Sequence, residues 1–291
     1  MRALLLLAAA LVACGGAEQD PEASQDVTTP RSLFTLTNAP VPSSHPTALV
    51  YLPKGFDPDG PLNLVVHYHG WDNCISNDGE SVNSRCSAGA AVRTSHHLIA
   101  QMDASGANAA LVLIEIHFDQ ATSDDGKLAQ AGFFKAMIDE LLPHIGALAG
   151  RTYTEEDLDG IVLSSHSGGY QALAHSLSIG GLTQHVKQVI LLDSLYGFGD
   201  TFEAWAKAAP GKHRLAVVYT DGGGTEANAQ KLATDARSFG VPTGAILDDR
   251  TFATQPDAAF EAPLLFKRSA LTHDGTAQYY FQRLVAHATL Q

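Results

Sequence analysis

The chain has 291 residues, 45% hydrophobic and 17% charged, with 26 Gly and 13 Pro, an ordinary globular composition that excludes a collagen-like, coiled-coil or wholly disordered protein. Its 18 basic and 31 acidic residues give a formal charge of −13. No basic run is present, which argues against nucleic-acid binding, because phosphate contacts need clustered Lys and Arg.

The N-terminus reads as an export signal. Arg2 is a minimal positive region, and Ala3 to Ala13 is an unbroken run of Ala, Leu and Val. The run is too short to span a bilayer, which takes about 20 residues, and it suits the apolar stretch of a signal peptide. It ends in Leu11-Val12-Ala13-Cys14, which resembles the lipobox of bacterial lipoproteins. That resemblance implies a signal over 1–13, cleavage before Cys14, acylation of that residue, and a chain lipid-anchored in the bacterial cell envelope, facing the periplasm or exterior. Several acyl chains on one residue hold a membrane firmly. An ordinary secretory peptide with an incidental cysteine is the alternative. Residues 14–32 lack an aliphatic cluster and read as a disordered tether.

From Leu33 onward, strand-like and helix-like runs alternate. Strands are predicted at Thr47–Leu52, Leu62–Tyr68, Ala110–His117, Gly160–Ser164, Val186–Leu192, Leu215–Thr220 and Leu264–Arg268. Several are nearly continuous in Val, Ile and Leu, as parallel strands covered on both faces are. Helices are predicted over Lys127–Leu148, Thr225–Phe239 and Thr276–Leu290 from apolar residues at helical spacing. The alternation implies a mostly parallel α/β sheet. With no repeat and no second linker, 33–291 reads as one domain.

Leu62–Tyr68 runs directly into His69-Gly70-Trp71. Cys74 and Cys86 follow, the two cysteines left once Cys14 is set aside, and two nearby thiols in an exported chain are expected to pair. Neither belongs to a Cys-x-x-Cys pair that would favour a metal. The loop between them is too polar to pack itself, and a bridge there would contribute roughly 3 kcal/mol on the chain-entropy model. Farther along, Gly160–Ser164 leads into Ser165-His166-Ser167-Gly168-Gly169 and then a helical stretch. A tight strand–serine–helix turn needs small residues two before and two after the serine. Ser165 and Gly169 meet this, although glycine is usual at the first position. Such a turn sets Ser167 Oγ above the sheet at a helix N-terminus, where developing negative charge is favoured.

The His-Gly-Trp segment and the serine turn together resemble the α/β-hydrolases, and the element order matches over most of 47–291. The resemblance implies an α/β-hydrolase fold, a mostly parallel central sheet flanked by helices on both faces. It makes Ser167 the nucleophile and the backbone N–H groups of Trp71 and Gly168 the oxyanion hole, each such donor being worth about 2.7–4 kcal/mol of barrier. Asp72 stands where some relatives carry Pro. The base is expected after the last strand, where His273 lies. His287 is the competitor, inside the terminal helix. The acid is either Asp193, closing the strand Val189–Leu192, or Asp221, closing the next. Most members of the family place it after the later strand, pancreatic lipases after the earlier. Asp193 is favoured because it sits one strand from the serine turn without intervening turn residues, whereas Gly222-Gly223-Gly224 beside Asp221 suggests a mobile loop. The short stretch Phe198–Arg214 leaves little or no cap domain and implies an open cleft, with the loop 74–86 as one rim.

These parts predict a serine hydrolase that cleaves small-molecule carboxylic esters through an acyl-enzyme, without a cofactor. Two other readings remain at this stage. One is a catalytically inactive, membrane-tethered binding protein on the same fold. The other is a metal-dependent hydrolase using His67 and His69, which share one face of a strand and with Asp72 approach a zinc-ligand pattern. The metal reading leaves the serine turn unexplained. Natural substrate, ester or amide preference and oligomeric state have no signature in the sequence.

Overall fold

A computed structural model of the chain describes residues 31–43, 45–121, 124–240 and 260–290. The predicted signal, Cys14 and most of the tether lie outside the described residues. Among those described, no helix is long and apolar enough to cross a membrane.

The Val/Ile/Leu runs become strands because each is buried from both sides. In β4 (Ala110–Ile114) all five residues are buried, as are all seven of β3 (Leu62–Tyr68). With β1 (Arg31–Phe34), β2 (Ala48–Tyr51), β5 (Leu158–His166), β6 (Val186–Leu192), β7 (Arg214–Thr220) and β8 (Leu264–Ser269) they form one eight-stranded sheet, ordered β1-β2-β4-β3-β5-β6-β7-β8. β1 pairs antiparallel with β2, and β2 with β4. Every other pairing is parallel. β1 was not expected from the sequence. Its four residues alternate between exposed and half-buried, so they carry little apolar signal. It also straddles the boundary drawn at Leu33.

Helices cover both faces. On one side lie α3 (Phe133–Ala149), α4 (Tyr170–Ser178), α5 (Gly199–Ala208) and α6 (Glu226–Ala236), contributing Phe134, Leu173, Phe202 and Leu232 to the larger core. On the other lie α1 (Ile75–Gly79), α2 (Leu98–Ser105) and α7 (His273–Ala286), with Ile75, Met102, Tyr280 and Phe281 in the second core. Each such large side chain stabilises the fold by roughly 1.5–3 kcal/mol relative to exposure.

Three expectations are corrected. The helix predicted over Lys127–Leu148 is broken: a 3-10 turn covers Gly126–Ala129, and α3 starts only after Gly132, whose φ of +75° cannot continue a right-handed helix. The final helix starts at His273 rather than Thr276, because the Thr272 hydroxyl accepts from Gly275 N–H at 3.1 Å and caps it there. The loop after Cys74 does not merely rim a cleft. Cys74 and Cys86 form the disulfide, with Cα atoms 5.7 Å apart, and Asn77 and Asp78 of α1 are buried. Asn73, Asn77 and Ser84 satisfy one another there: Asn73 Nδ2 donates to Asp78 Oδ1 at 2.5 Å, Asn77 Nδ2 to Asn73 Oδ1 at 2.6 Å, and Ser84 N–H to Asn77 Oδ1 at 2.7 Å. Polar residues pack here by bonding to each other, which hydropathy does not reveal.

The chain steps from β3 out to β4, then returns across β3 to β5 and continues the other way. Reversals of this kind open a crevice at the carboxyl ends of the strands. β3 and β5, neighbours in the sheet, deliver His69-Gly70-Trp71 and Ser167 to that edge.

Candidate active site

Ser167 directly follows β5 and has φ +50°, a left-handed conformation that costs a non-glycine residue on the order of 1–3 kcal/mol and persists only where the surroundings impose it. They do so tightly. A Cβ at Gly169 would lie 2.5 Å from Tyr68 O and 2.8 Å from His69 O, and one at Gly70 would lie 2.6 Å from Ser167 Cβ. Glycine at both positions lets β3 and the serine turn touch through bare backbone. Ser165 has its own role in the turn. Its hydroxyl is 2.8 Å from Ser194 Oγ, which in turn donates to Ser167 O at 2.7 Å. A glycine at 165 would lack that tie.

Asp193 follows β6 with φ +47°, and its own N–H donates to Val218 O at 2.8 Å. Its carboxylate is fully buried. Oδ2 accepts from His273 Nδ1 at 2.7 Å and from Thr220 Oγ1 at 2.5 Å. Oδ1 accepts from Thr220 N–H at 3.2 Å and from the Thr225 hydroxyl. Burial alone would raise its pKa, but the bonds from His273, Thr220 and Thr225 outweigh burial and hold the carboxyl below the usual carboxylate range. Asp221 turns elsewhere. Its half-exposed carboxylate pairs with Arg268, which also reaches Glu226 at 2.9 Å. Of the two candidate acids, the structure brings Asp193 to His273.

His273 is the first residue of α7, and its side chain stays 38% exposed beside the buried carboxylate, accessible from the strand ends. His287 lies at the far end of the same helix of 14 residues, about 20 Å away at 1.5 Å per residue, and stacks on Phe260. It takes no part in the site. Trp71, carrier of the first predicted oxyanion N–H, is 53% exposed and follows Gly70 at the serine turn. Gly168, carrier of the second, is buried in the single 3-10 turn Ser167–Gly169 that opens α4.

His67, His69 and Asp72 do not converge. His67 Nδ1 meets Ser164 Oγ at 3.0 Å, while Nε2 lies 3.3 Å from Asp78. His69 Nε2 accepts from Ile116 N–H at 3.1 Å, so the opposite nitrogen is the donor to Gly70 O at 2.8 Å. His69 thereby steadies the peptide that leads into Trp71. Asp72 pairs with Arg93, and its φ of +64° is closed to proline. The zinc-ligand reading of these three residues is therefore set aside.

Sequence reasoning missed Tyr196. Its hydroxyl lies by the Ser167 side chain, and burial, then the Asp193 charge, raise its pKa to about 12. It stays a neutral phenol at any physiological pH. Tyr196 neighbours Tyr170 at 5.9 Å between ring centroids, and with Phe198, Thr201, Asn228 and Lys231 it lines a groove of about 420 Å³. Three residues beyond a strand-closing Asp, in a run of Ser-Leu-Tyr-Gly, it has no motif to announce it.

No protein-family model matches the chain, and no curated protein does. Solved structures do. The feruloyl esterase module from Clostridium thermocellum, a serine-to-alanine mutant complexed with sinapinate, aligns with TM-score 0.58 and 13% identity over 89% of this chain and 86% of that one. A protein designated FAE aligns with TM-score 0.54 and 13% identity over 88% and 86%. At such identity the likeness is one of fold, and it agrees with the strand order and the helical layers found on both faces. The chain has the α/β-hydrolase fold.

Proposed function

We propose that the chain is a serine hydrolase that cleaves carboxylic esters through Ser167, His273 and Asp193. The observation that carries this reading is the 2.7 Å bond from His273 Nδ1 to the buried Asp193 carboxylate, on the same strand edge as a serine held at positive φ. That bond fixes the proton on Nδ1 and leaves Nε2 as the base. In the reaction, Ser167 Oγ attacks the ester carbonyl carbon and its proton passes to His273 Nε2. Asp193 stabilises the imidazolium, and the Trp71 and Gly168 N–H groups hold the tetrahedral oxyanion. Collapse expels the alcohol, which takes the proton from His273. Water, deprotonated by the same nitrogen, then releases the acid.

Among the described residues no cap covers the site, since α5 packs on the sheet through Phe202. An open cleft suits a small ester presented from solution. The feruloyl esterase module of the same fold acts on an ester as well. A binding protein that had lost activity would have no need of a four-donor shell around Asp193.

Export and lipid attachment at Cys14 belong to the same proposal. They rest on the Leu11-Val12-Ala13-Cys14 run and agree with a disulfide, which persists in oxidising compartments. A fluorophosphonate probe tests the chemistry: it should label the wild type and not Ser167→Ala, with both folded by circular dichroism. Labelling at another serine would overturn the assignment. Radiolabelled palmitate should enter the wild type in a bacterial host and not Cys14→Ser, and label persisting in that variant would remove the anchor.

A further inference from the structure

Beside the proposed triad lies a cluster that the hydrolase chemistry does not use. His96 from the loop before α2, His166 from the end of β5 and Asp274 from the first turn of α7 each bring one ligand atom within 4.8 Å of the other two. Both imidazoles are almost fully buried, His96 at 1% and His166 at 3% exposure, and their rings pack at 4.5 Å between centroids. His96 Nε2 and His166 Nδ1 have no hydrogen-bond partner among the described residues. Buried polar nitrogens left in this state are uncommon and call for an explanation.

We propose that His96, His166 and Asp274 form a binding site for a zinc ion. The donor set is two imidazoles and one carboxylate, which suits Zn²⁺ and not Ca²⁺ or Mg²⁺, whose sites are built of oxygen. Behind His96 stands a carboxylate: Asp78 Oδ1 lies 2.6 Å from His96 Nδ1 as an ion pair, although His96 Nδ1 makes no aligned hydrogen bond among the described residues. His166 Nε2 lies 3.2 Å from His273 O, so that nitrogen carries the proton and Nδ1 keeps a lone pair. Asp78 is itself backed by His67 Nε2 at 3.3 Å.

The three ligand atoms must draw together: they lie within 4.8 Å of one another, with His96 Nε2 and Asp274 Oδ1 3.9 Å apart, whereas ligands about 2.0–2.2 Å from a tetrahedral zinc are roughly 3.3 Å apart. The Asp274 side chain is 46% exposed and can swing inward, and the same opening admits a water as fourth ligand. Charge balances too: two neutral imidazoles with Asp78 and Asp274 offer two negative charges to a dication.

Such an ion would join the residue before Ser167 to the residue after His273. It would tie β5 to α7 independently of the hydrogen bond between His273 and Asp193.

The test is Zn²⁺ titration of chelator-treated, disulfide-intact protein in competition with a chromophoric chelator. One equivalent should bind, Ca²⁺ should not compete, and Co²⁺ in its place should give the visible absorption of a four-coordinate site. His96→Gln and Asp274→Asn should each weaken Zn²⁺ binding at least tenfold. The two sit on different elements, so a folding failure of one leaves the other to decide. Ser167→Ala should bind zinc like the wild type, which separates this site from the proposed ester chemistry. Absence of stoichiometric binding, or binding undiminished in a folded His96→Gln or Asp274→Asn protein, would overturn the proposal.

Discussion

Replacing Asp193 by asparagine tests the proposed triad at its most constrained point. All four hydrogen bonds to the carboxylate come from donors: His273 Nδ1 and Thr220 Oγ1 on Oδ2, Thr220 N–H and Thr225 Oγ1 on Oδ1. An amide has one oxygen and one NH₂, so one side must face donors with a donor. A hydroxyl can rotate and accept, but the Thr220 backbone N–H cannot. The amide oxygen must therefore stay at the Oδ1 position and the NH₂ must take the Oδ2 position. There it donates to His273 Nδ1, which drives the imidazole proton to Nε2, the atom that has to accept from Ser167. In a well-characterised serine protease the wrong tautomer lowers kcat about 10⁴-fold, or about 5.5 kcal/mol. Asp193→Asn should lose hydrolysis of para-nitrophenyl acetate on that scale, with KM nearly unchanged. Asp221→Asn should stay within about fivefold of wild type, because it weakens a surface pair with Arg268 worth about 0–1 kcal/mol and does not touch His273. If Asp193→Asn kept more than a tenth of wild-type kcat, the tautomer argument would be refuted. A collapse of Asp221→Asn instead would move the acid to β7.

The relay from Ser165 through Ser194 to Ser167 O predicts that Ser165→Ala and Ser194→Ala each cost about 1 kcal/mol in urea unfolding. Ser194→Ala should also lower kcat more than Ser165→Ala, since it alone frees the carbonyl of the reacting residue; equal kcat in both variants would refute the relay. Opening the Cys74–Cys86 bridge with Cys86→Ser should cost roughly 3 kcal/mol, read as a lower urea midpoint, and an unchanged midpoint would contradict it. Glu140 accepts from Thr37 N–H at 2.6 Å and Asn38 N–H at 2.7 Å, and although burial pulls the other way these bonds lower its pKa from the ordinary 4.5. Its contribution is present above pH 4.5 and lost as pH falls through the lower folded value. Glu140→Gln should thus cost about 1 kcal/mol at pH 7, a gap that closes in acid. A gap independent of pH would show that the charge is not involved.

Much of this arrangement can be read from the chain because backbone geometry demands particular residue types. The serine turn needs small neighbours, and Ser165 and Gly169 supply them. Buried parallel strands need aliphatic runs, and β4, the Val189–Leu192 part of β6 and the Leu215–Val218 part of β7 have them. The choice between Asp193 and Asp221 was open because each simply closes a strand. What separates them is a left-handed turn at Asp193 and the donors of a neighbouring strand, neither of which has a sequence signature. The pairing of the two cysteines followed from compartment and spacing, but the burial of Asn77 and Asp78 did not, since it depends on amides meeting across a fold. His96 and Asp274, far apart in sequence, meet only because α2 and α7 lie on the same face. Tyr196 was missed for the same reason, and β1 because its alternately exposed and half-buried residues carry little apolar signal.

The bare-backbone contact between Gly169 and the carbonyls of Tyr68 and His69 bears on how the proposed hydrolase could be diversified. With a Cβ at 169 only 2.5 Å from an oxygen, the seam between serine turn and oxyanion segment tolerates no added atom. Library positions placed there would yield mostly unfolded clones. The exposed aromatics Trp71 and Phe198 project from the same framework without holding it together. Saturating those two sites would vary what the cleft accepts while the proposed reacting atoms keep their places, and selection for new substrates has its widest latitude at that perimeter.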